Sequence, residues 1–172
     1  LYSCTSAVTR DHGFRSLGVI ESTFLRDEIC AEIIADGKHL PPDLVRMIVK
    51  IKGIDNVAAV TDSLSVAGSP ATCGVMSGVE YIIEDGVAKL PDRTSFAGSV
   101  ATFDRLVRNM INMAEVPLHE VITMACTTPA KIMGFHDRGV LAPGARADVI
   151  LFDDNIHVSH VIVGGRTIYT EE

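Results

Sequence analysis

The feature that most constrains this chain is a pair of short apolar runs bridged by one amphipathic stretch. Cys30-Ala-Glu-Ile-Ile-Ala-Asp36 runs into Gly37, and Val57-Ala-Ala-Val60 runs into Thr61-Asp62-Ser63. Short apolar runs bounded by turn residues read as buried strands of a parallel sheet. Between them, Pro41 and Pro42 open a helix to about Ile51, with Leu44, Ile48 and Ile51 on one face and Gly53 as its stop. Proline suits a first helical turn because the N–H it lacks would be unpaired there anyway. Glycine suits the position just past the end. Strand, helix and strand make one right-handed crossover unit. The two strands are therefore expected side by side and parallel, with Asp36 and Asp62 at the same end.

Further along, Val79, Tyr81 and Ile83 alternate ahead of Glu84-Asp85-Gly86, which reads as a hairpin over 79–88. From Ser99 to about Ala114 the apolar residues keep helical spacing, with Ser99 as N-cap. Leu118 to Ala125 reads as an amphipathic helix. Thr128-Pro129 reads as the cap and first position of another, and Gly134 as its end. The texture then changes. Val140 to Gly144 is a turn, and residues 147–152, 158–163 and 167–169 read as short strands separated by Asp153-Asp154 and Gly164-Gly165. The expected fold class is α/β. Only two or three βα repeats precede the terminal strands, so an open portion of a barrel is expected over 1–135. A small antiparallel β unit is expected over 136–172.

Composition narrows the function classes. Of 172 residues, 47% are apolar and the mean hydropathy is +0.28, enough for one domain with a real core. No apolar run reaches the roughly 18 residues of a membrane span. The formal charge of −7, with no basic stripe, argues against nucleic acid as a partner. Cys4, Cys30, Cys73 and Cys126 lie far apart, without metal-ligand spacing. They read as free, buried thiols in a reducing, cytoplasmic setting. There is no signal-peptide pattern, and the chain opens at Leu1, which is not expected to be the natural start.

Several residues can carry chemistry. In a parallel α/β barrel the C-terminal strand ends face the active site. Asp62, at such an end, can be a general base, a metal ligand, or a residue that caps a turn. His39, in Asp36-Gly37-Lys38-His39, can bond a substrate or be an ordinary loop histidine. Arg10, in a polar early loop with Asp11-His12-Gly13, can grip a phosphate or be a solvated surface arginine. Phe96-Ala97-Gly98-Ser99 lets backbone N–H groups approach a ligand, or is simply a turn before a helix. His119, His136, His157 and His160 read as structural. There is no Gly-rich phosphate loop, nucleophile elbow or H-E-x-x-H helix.

Taken in order, these segments resemble the N-acetylglucosamine-6-phosphate deacetylases of the amidohydrolase superfamily, in their C-terminal part. The resemblance rests on Ile33-Ile-Ala-Asp-Gly-Lys-His39, Ala59-Val-Thr-Asp62, and Phe96-Ala-Gly-Ser99 followed by Arg108-Asn109. Met124 to Gly134 and Gly139 to Leu151 resemble the general amidohydrolase tail. The resemblance implies part of a (β/α)8 barrel with strands of a small β-sandwich. It implies a divalent metal, zinc or iron, with its main ligands upstream of Leu1 and Asp62 as a possible further one. Asp62 matches the catalytic aspartate. Asp36, Gly37, Lys38, His39, Phe96, Ala97 and Gly98 match substrate-binding segments. Arg10 matches an arginine that contacts the sugar phosphate, across a homodimer boundary, if one residue is deleted before it. Ser3 and Cys4 stand where the family has a substrate-contacting Asn-Ala pair, which leaves the exact substrate open.

The implied reaction is removal of the acetyl group from N-acetylglucosamine 6-phosphate, giving acetate and glucosamine 6-phosphate. The implied partners are an amino sugar phosphate, a second copy of the chain, and an N-terminal part of the same protein. Two alternatives stay open: an amidohydrolase acting on another amide or cyclic amide, or a non-catalytic fragment that completes a fold or an interface.

Overall fold

The structure is a computed structural model describing residues 1–3 and 5–171. In chain order it contains β1 (Thr9–Asp11), β2 (Phe14–Ser16), α1 (Val19–Leu25), β3 (Ala31–Ile33) and α2 (Pro42–Lys52). A 3-10 turn, Ile54–Asn56, leads into β4 (Val57–Ala59). Then come β5 (Cys73–Met76), β6 (Val79–Glu84), β7 (Val87–Lys89) and β8 (Phe96–Gly98). They are followed by α3 (Phe103–Asn112), α4 (Leu118–Ile122), a π turn over Thr123–Thr127 and α5 (Thr128–Ile132). β9 (Val149–Phe152), β10 (Val158–Val163) and β11 (Arg166–Thr170) close the chain.

The crossover unit is present. β3 and β4 pair in parallel, Ala31 with Val57 and Ile33 with Ala59. Ile33 and Val57 are fully buried; β4 is buried throughout, whereas Glu32 of β3 is exposed. α2 covers them with Val45 and Ile48, and α3 adds Leu106, Val107 and Met110 to the same core.

The face of α2 is rotated from the one expected. Val45, Ile48 and Lys52 are buried, while Leu44 is half-buried and Ile51 lies 50% exposed. Lysine takes the inward place because its aliphatic stem can lie in the core while its ammonium finds acceptors. The Lys52 Nζ donates to the carbonyls of Thr23 (3.0 Å) and Arg26 (2.7 Å) at the C-terminal end of α1. Those carbonyls have few intrahelical partners, and the helix dipole favours a cation there. Lys52→Met should therefore cost about 1–3 kcal/mol, the penalty for stranding buried acceptors. Urea denaturation should show this as a lower midpoint at unchanged slope.

Among the described residues the parallel sheet has two strands, and no closed barrel forms. After β4 the chain builds an antiparallel sheet in the order β5-β6-β7-β8 instead of a second βα repeat. The expected turn at Asp85-Gly86 joins β6 to β7. Phe96–Gly98, expected as a loop before a helix, is a strand pairing with β7. Ser99 is not the N-cap of α3. It is fully buried, its Oγ accepts the Ala101 amide at 3.0 Å, and the helix starts four residues later after Thr102. Sheet pairing takes the backbone through Ser99 before the helix can begin.

Thr128-Pro129 likewise does not open a new helix. The chain runs from α4 through the π turn into α5, and Thr128 Oγ1 donates to the Ile54 carbonyl at 2.8 Å. The wider turn lets the helix continue past a proline that offers no amide donor. Gly134 ends it at φ +71°. Arg10 to Gly13, expected as a loop, is the β1–β2 hairpin with His12 and Gly13 at its turn. The terminal strands pair antiparallel in the order β11-β10-β9. Cys30, Cys73 and Cys126, expected to be buried, are free and exposed.

Candidate active site

Beyond β3 the chain stays buried through Ile34, Ala35 and Asp36, then turns at Gly37 (φ +77°). A Cβ at Gly37 would sit 3.1 Å from the Asn109 side-chain nitrogen, so both conformation and space favour glycine there. Asp36 is 1% exposed and organises the turn from Gly37 to His39. Its Oδ1 accepts the amides of Lys38 (2.9 Å) and His39 (2.8 Å), and its Oδ2 lies 2.8 Å from His39 Nδ1. Two residues on α3 hold the turn from behind. Arg105 donates to the carbonyls of Asp36 and Gly86, both at 3.0 Å, and Asn109 donates to the carbonyl of Ala35 at 3.2 Å.

Burial by itself pushes the Asp36 carboxyl up. The His39 ring, the amides of His39 and Lys38 and the charge on His39 outweigh it, and the carboxyl is held below its usual range. A lowered folded-state value means that its stabilisation is fully present above the unfolded value of about 3.9 and is lost as pH falls through the folded value. In acid unfolding followed by circular dichroism, Asp36→Asn should lose less stability than the wild type below about pH 4.

Asp62 stands beyond the end of β4 with a left-handed backbone, φ +48°. Aspartate tolerates that region better than most residues, and such positions gather at functional sites. Its carbonyl accepts the Ser99 amide at 3.2 Å, and Ser63 pairs with Ser99 in a parallel bridge. The Asp62 side chain makes no hydrogen bond or ion pair with another described residue.

β8 links the two carboxylate positions. Its first residue, Phe96, packs edge-on against the His39 ring at 5.1 Å between centroids, and Ser99 just past its end holds Asp62. Gly98 lies at φ +133°, where a Cβ would meet Leu64 at 3.1 Å. His39, Phe96, Ala97, Gly98 and Asp62 are thus joined into one rim at the C-terminal ends of β3 and β4. Lys38 is exposed beside it. Arg10 and Ser3 are exposed, and among the described residues no hydrogen bond or ion pair ties either to this rim. Cys4 lies outside the described residues. Arg105 was not singled out from the sequence, and Asn109 only as part of a motif. The available signal was two polar residues at i, i+4 on a helix that also carries Leu106 and Met110.

Among the described residues no three His, Cys, Asp or Glu side chains converge to hold a metal ion. Asp62 stands alone as a carboxylate, so these residues do not by themselves fit the divalent ion that the resemblance implies. No described helix is long and apolar enough to cross a membrane.

Residues 12–168 match the Amidohydrolase family, and the chain belongs to it. Within that family the chain is similar to sugar-phosphate deacetylases. It is 30% identical to the N-acetylglucosamine-6-phosphate deacetylase of Lysinibacillus sphaericus, over 88% of this chain and 39% of that protein. A chain of Escherichia coli K-12, provisionally assigned as an N-acetylgalactosamine-6-phosphate deacetylase, is 29% identical over 95% of this chain and 96% of its own length. The crystal structure of N-acetylglucosamine-6-phosphate deacetylase from Pasteurella multocida superposes with a TM-score of 0.90 at 26% identity, over 99% of this chain and 44% of that one. The chain thus spans about two-fifths of the length of the Lysinibacillus and Pasteurella proteins.

Proposed function

We propose that this chain forms the acid–base and substrate-binding part of a deacetylase that hydrolyses N-acetylglucosamine 6-phosphate, or its galactosamine counterpart, to the amino sugar phosphate and acetate. The observation that carries the reading is the rim itself. Asp62, whose carboxylate has no partner among the described residues, and an anchored histidine, His39, stand at the same end of two parallel strands and are bridged by β8.

In this reading Asp62 takes a proton from the attacking water as its oxygen bonds to the acetyl carbon. It then returns the proton to the nitrogen as the C–N bond breaks. A carboxylate without a standing partner suits both halves of that task. His39 and Phe96 to Gly98 hold the sugar. The divalent ion is assigned to ligands on a segment that precedes Leu1 in the family's order, so the assembled enzyme needs that segment. Residues 1–135 serve as the barrel portion and 136–172 as the sandwich portion. The proposed setting is the cytoplasm.

Acetate release from the two N-acetylated sugar phosphates, measured beside a panel of cyclic amides, tests the substrate class. Turnover of the cyclic amides alone would overturn it. Arg10 is assigned to the phosphate, across a homodimer boundary. Arg10→Ala should raise KM for the phosphorylated sugar by on the order of tenfold or more, because a charge-assisted hydrogen bond is worth more than a neutral one. KM for the unphosphorylated sugar should change little. Equal effects on both would remove the assignment.

A further inference from the structure

Asp36 is grouped with the substrate-binding residues by its place in the sequence, yet its carboxylate is fully engaged inside the protein. We propose that Asp36 is a positioning residue: it fixes His39 as the Nδ1–H tautomer, so that Nε2 is offered to the ligand as a hydrogen-bond acceptor for a hydroxyl group. The proposal rests on the deacetylase reading for its ligand, but the tautomer can be measured without it.

The geometry separates the two oxygens of Asp36. Oδ1 is committed to two backbone amides, Lys38 and His39, which can only donate. Oδ2 faces His39 Nδ1 at 2.8 Å, and an ionised carboxylate can only accept. Nδ1 must therefore carry a proton, and whenever the ring is neutral its lone pair lies on Nε2. The orientation is over-determined. The Asp36 side chain is fully buried and the His39 side chain 8% exposed. Phe96 packs on the ring, and Arg105 and Asn109 fix the backbone of the turn. Among the described residues no hydrogen bond to Nε2 is found, and no buried side-chain nitrogen or oxygen lacks a partner. Among the described residues, then, Nε2 is not sealed from solvent. A neutral acceptor at that point selects a donor, and the hydroxyls of a sugar supply one.

Asp36→Asn makes a sharp test because the two oxygens differ. The amides of Lys38 and His39 still require an acceptor, so the asparagine carbonyl keeps the Oδ1 place. Its NH₂ then faces His39 Nδ1, which must become an acceptor. The His39 tautomer should invert to Nε2–H. Long-range ¹⁵N–¹H correlation spectra at about pH 8.5, above the usual histidine range, read the tautomer directly. His39→Gln assigns the signal. The expected result is Nδ1–H in the wild type and Nε2–H in Asp36→Asn, with N-acetylglucosamine 6-phosphate bound on the order of tenfold more weakly by the variant. A wild-type Nε2–H tautomer overturns the proposal, and this arm stands even if the variant fails to fold. A folded variant that keeps Nδ1–H also overturns it. Inversion without any loss of affinity removes the acceptor role. If the wild type binds no sugar phosphate while the tautomer still inverts, the deacetylase reading falls and the positioning role of Asp36 is upheld.

Discussion

In the proposed deacetylase, Asp62→Asn should keep its fold and lose roughly 10²–10⁴-fold in turnover, the range associated with general acid–base catalysis. Asparagine matches aspartate in shape and also tolerates the left-handed backbone found at φ +48°. The Ser99 amide bonds to the main-chain carbonyl of residue 62, so that link survives the change. What asparagine cannot do is take a proton and give it back. The loss should therefore fall mainly on kcat, with KM for the sugar phosphate little changed. Steady-state kinetics with circular dichroism as a folding control would show it. A folded Asp62→Asn enzyme with full turnover would remove Asp62 from the chemistry.

The second large effect is on stability. Leu106→Ala should destabilise the chain by about 2–5 kcal/mol, as for other large-to-small changes in a packed core. Leu106 is fully buried and belongs to the main core with Ile33, Ile48, Val57 and Met110. Its neighbours on α3 are Arg105 and Asn109, which hold the Asp36 turn. Domains typically have about 5–15 kcal/mol in hand, so this one change removes a large share. Chemical denaturation should show a lower midpoint. The Lys38 and His39 amides should exchange faster with solvent, because the helix that anchors their turn is loosened. A shift under about 0.5 kcal/mol, the level of an ordinary surface substitution, would mean that α3 is not the anchor described.

The β3-α2-β4 unit was legible because its strands are short, largely apolar runs bounded by turn residues, and one bridging helix implies parallel pairing. Proline and glycine marked the ends of α2 for reasons internal to the backbone. The inward face of α2 was not legible. Choosing Lys52 over Ile51 depends on two carbonyls of α1, which lie 29 and 26 residues earlier in the chain. Ser99 shows the same limit. Its local pattern suits an N-cap, but pairing with Ser63 and the Asp62 carbonyl holds it in a sheet-like backbone. Thr128-Pro129 looked like a helix start because local chemistry cannot reveal a preceding π turn, or that the Thr128 hydroxyl is committed to the Ile54 carbonyl.

The candidate site divides in the same way. The positions of Asp62 and His39 beyond the ends of β4 and β3 were legible. The roles of Arg105 and Asn109 were not, since each acts on a carbonyl about 70 residues away. Nor does local sequence reveal that the Asp36 carboxylate is spent inside the turn.

The central claim is that the ends of β3 and β4, with β8, form one sugar-phosphate site. Titrating N-acetylglucosamine 6-phosphate into the ¹⁵N-labelled protein and tracking backbone amide shifts tests it most directly. The amides of Lys38, His39, Ser63, Ala97 and Gly98 should move together along one saturating curve, while those of Val163 and Gly164, at the β10–β11 turn, stay still. Shifts confined to the β9–β11 sheet, or no saturable shift at Lys38 to Gly98, would contradict the account.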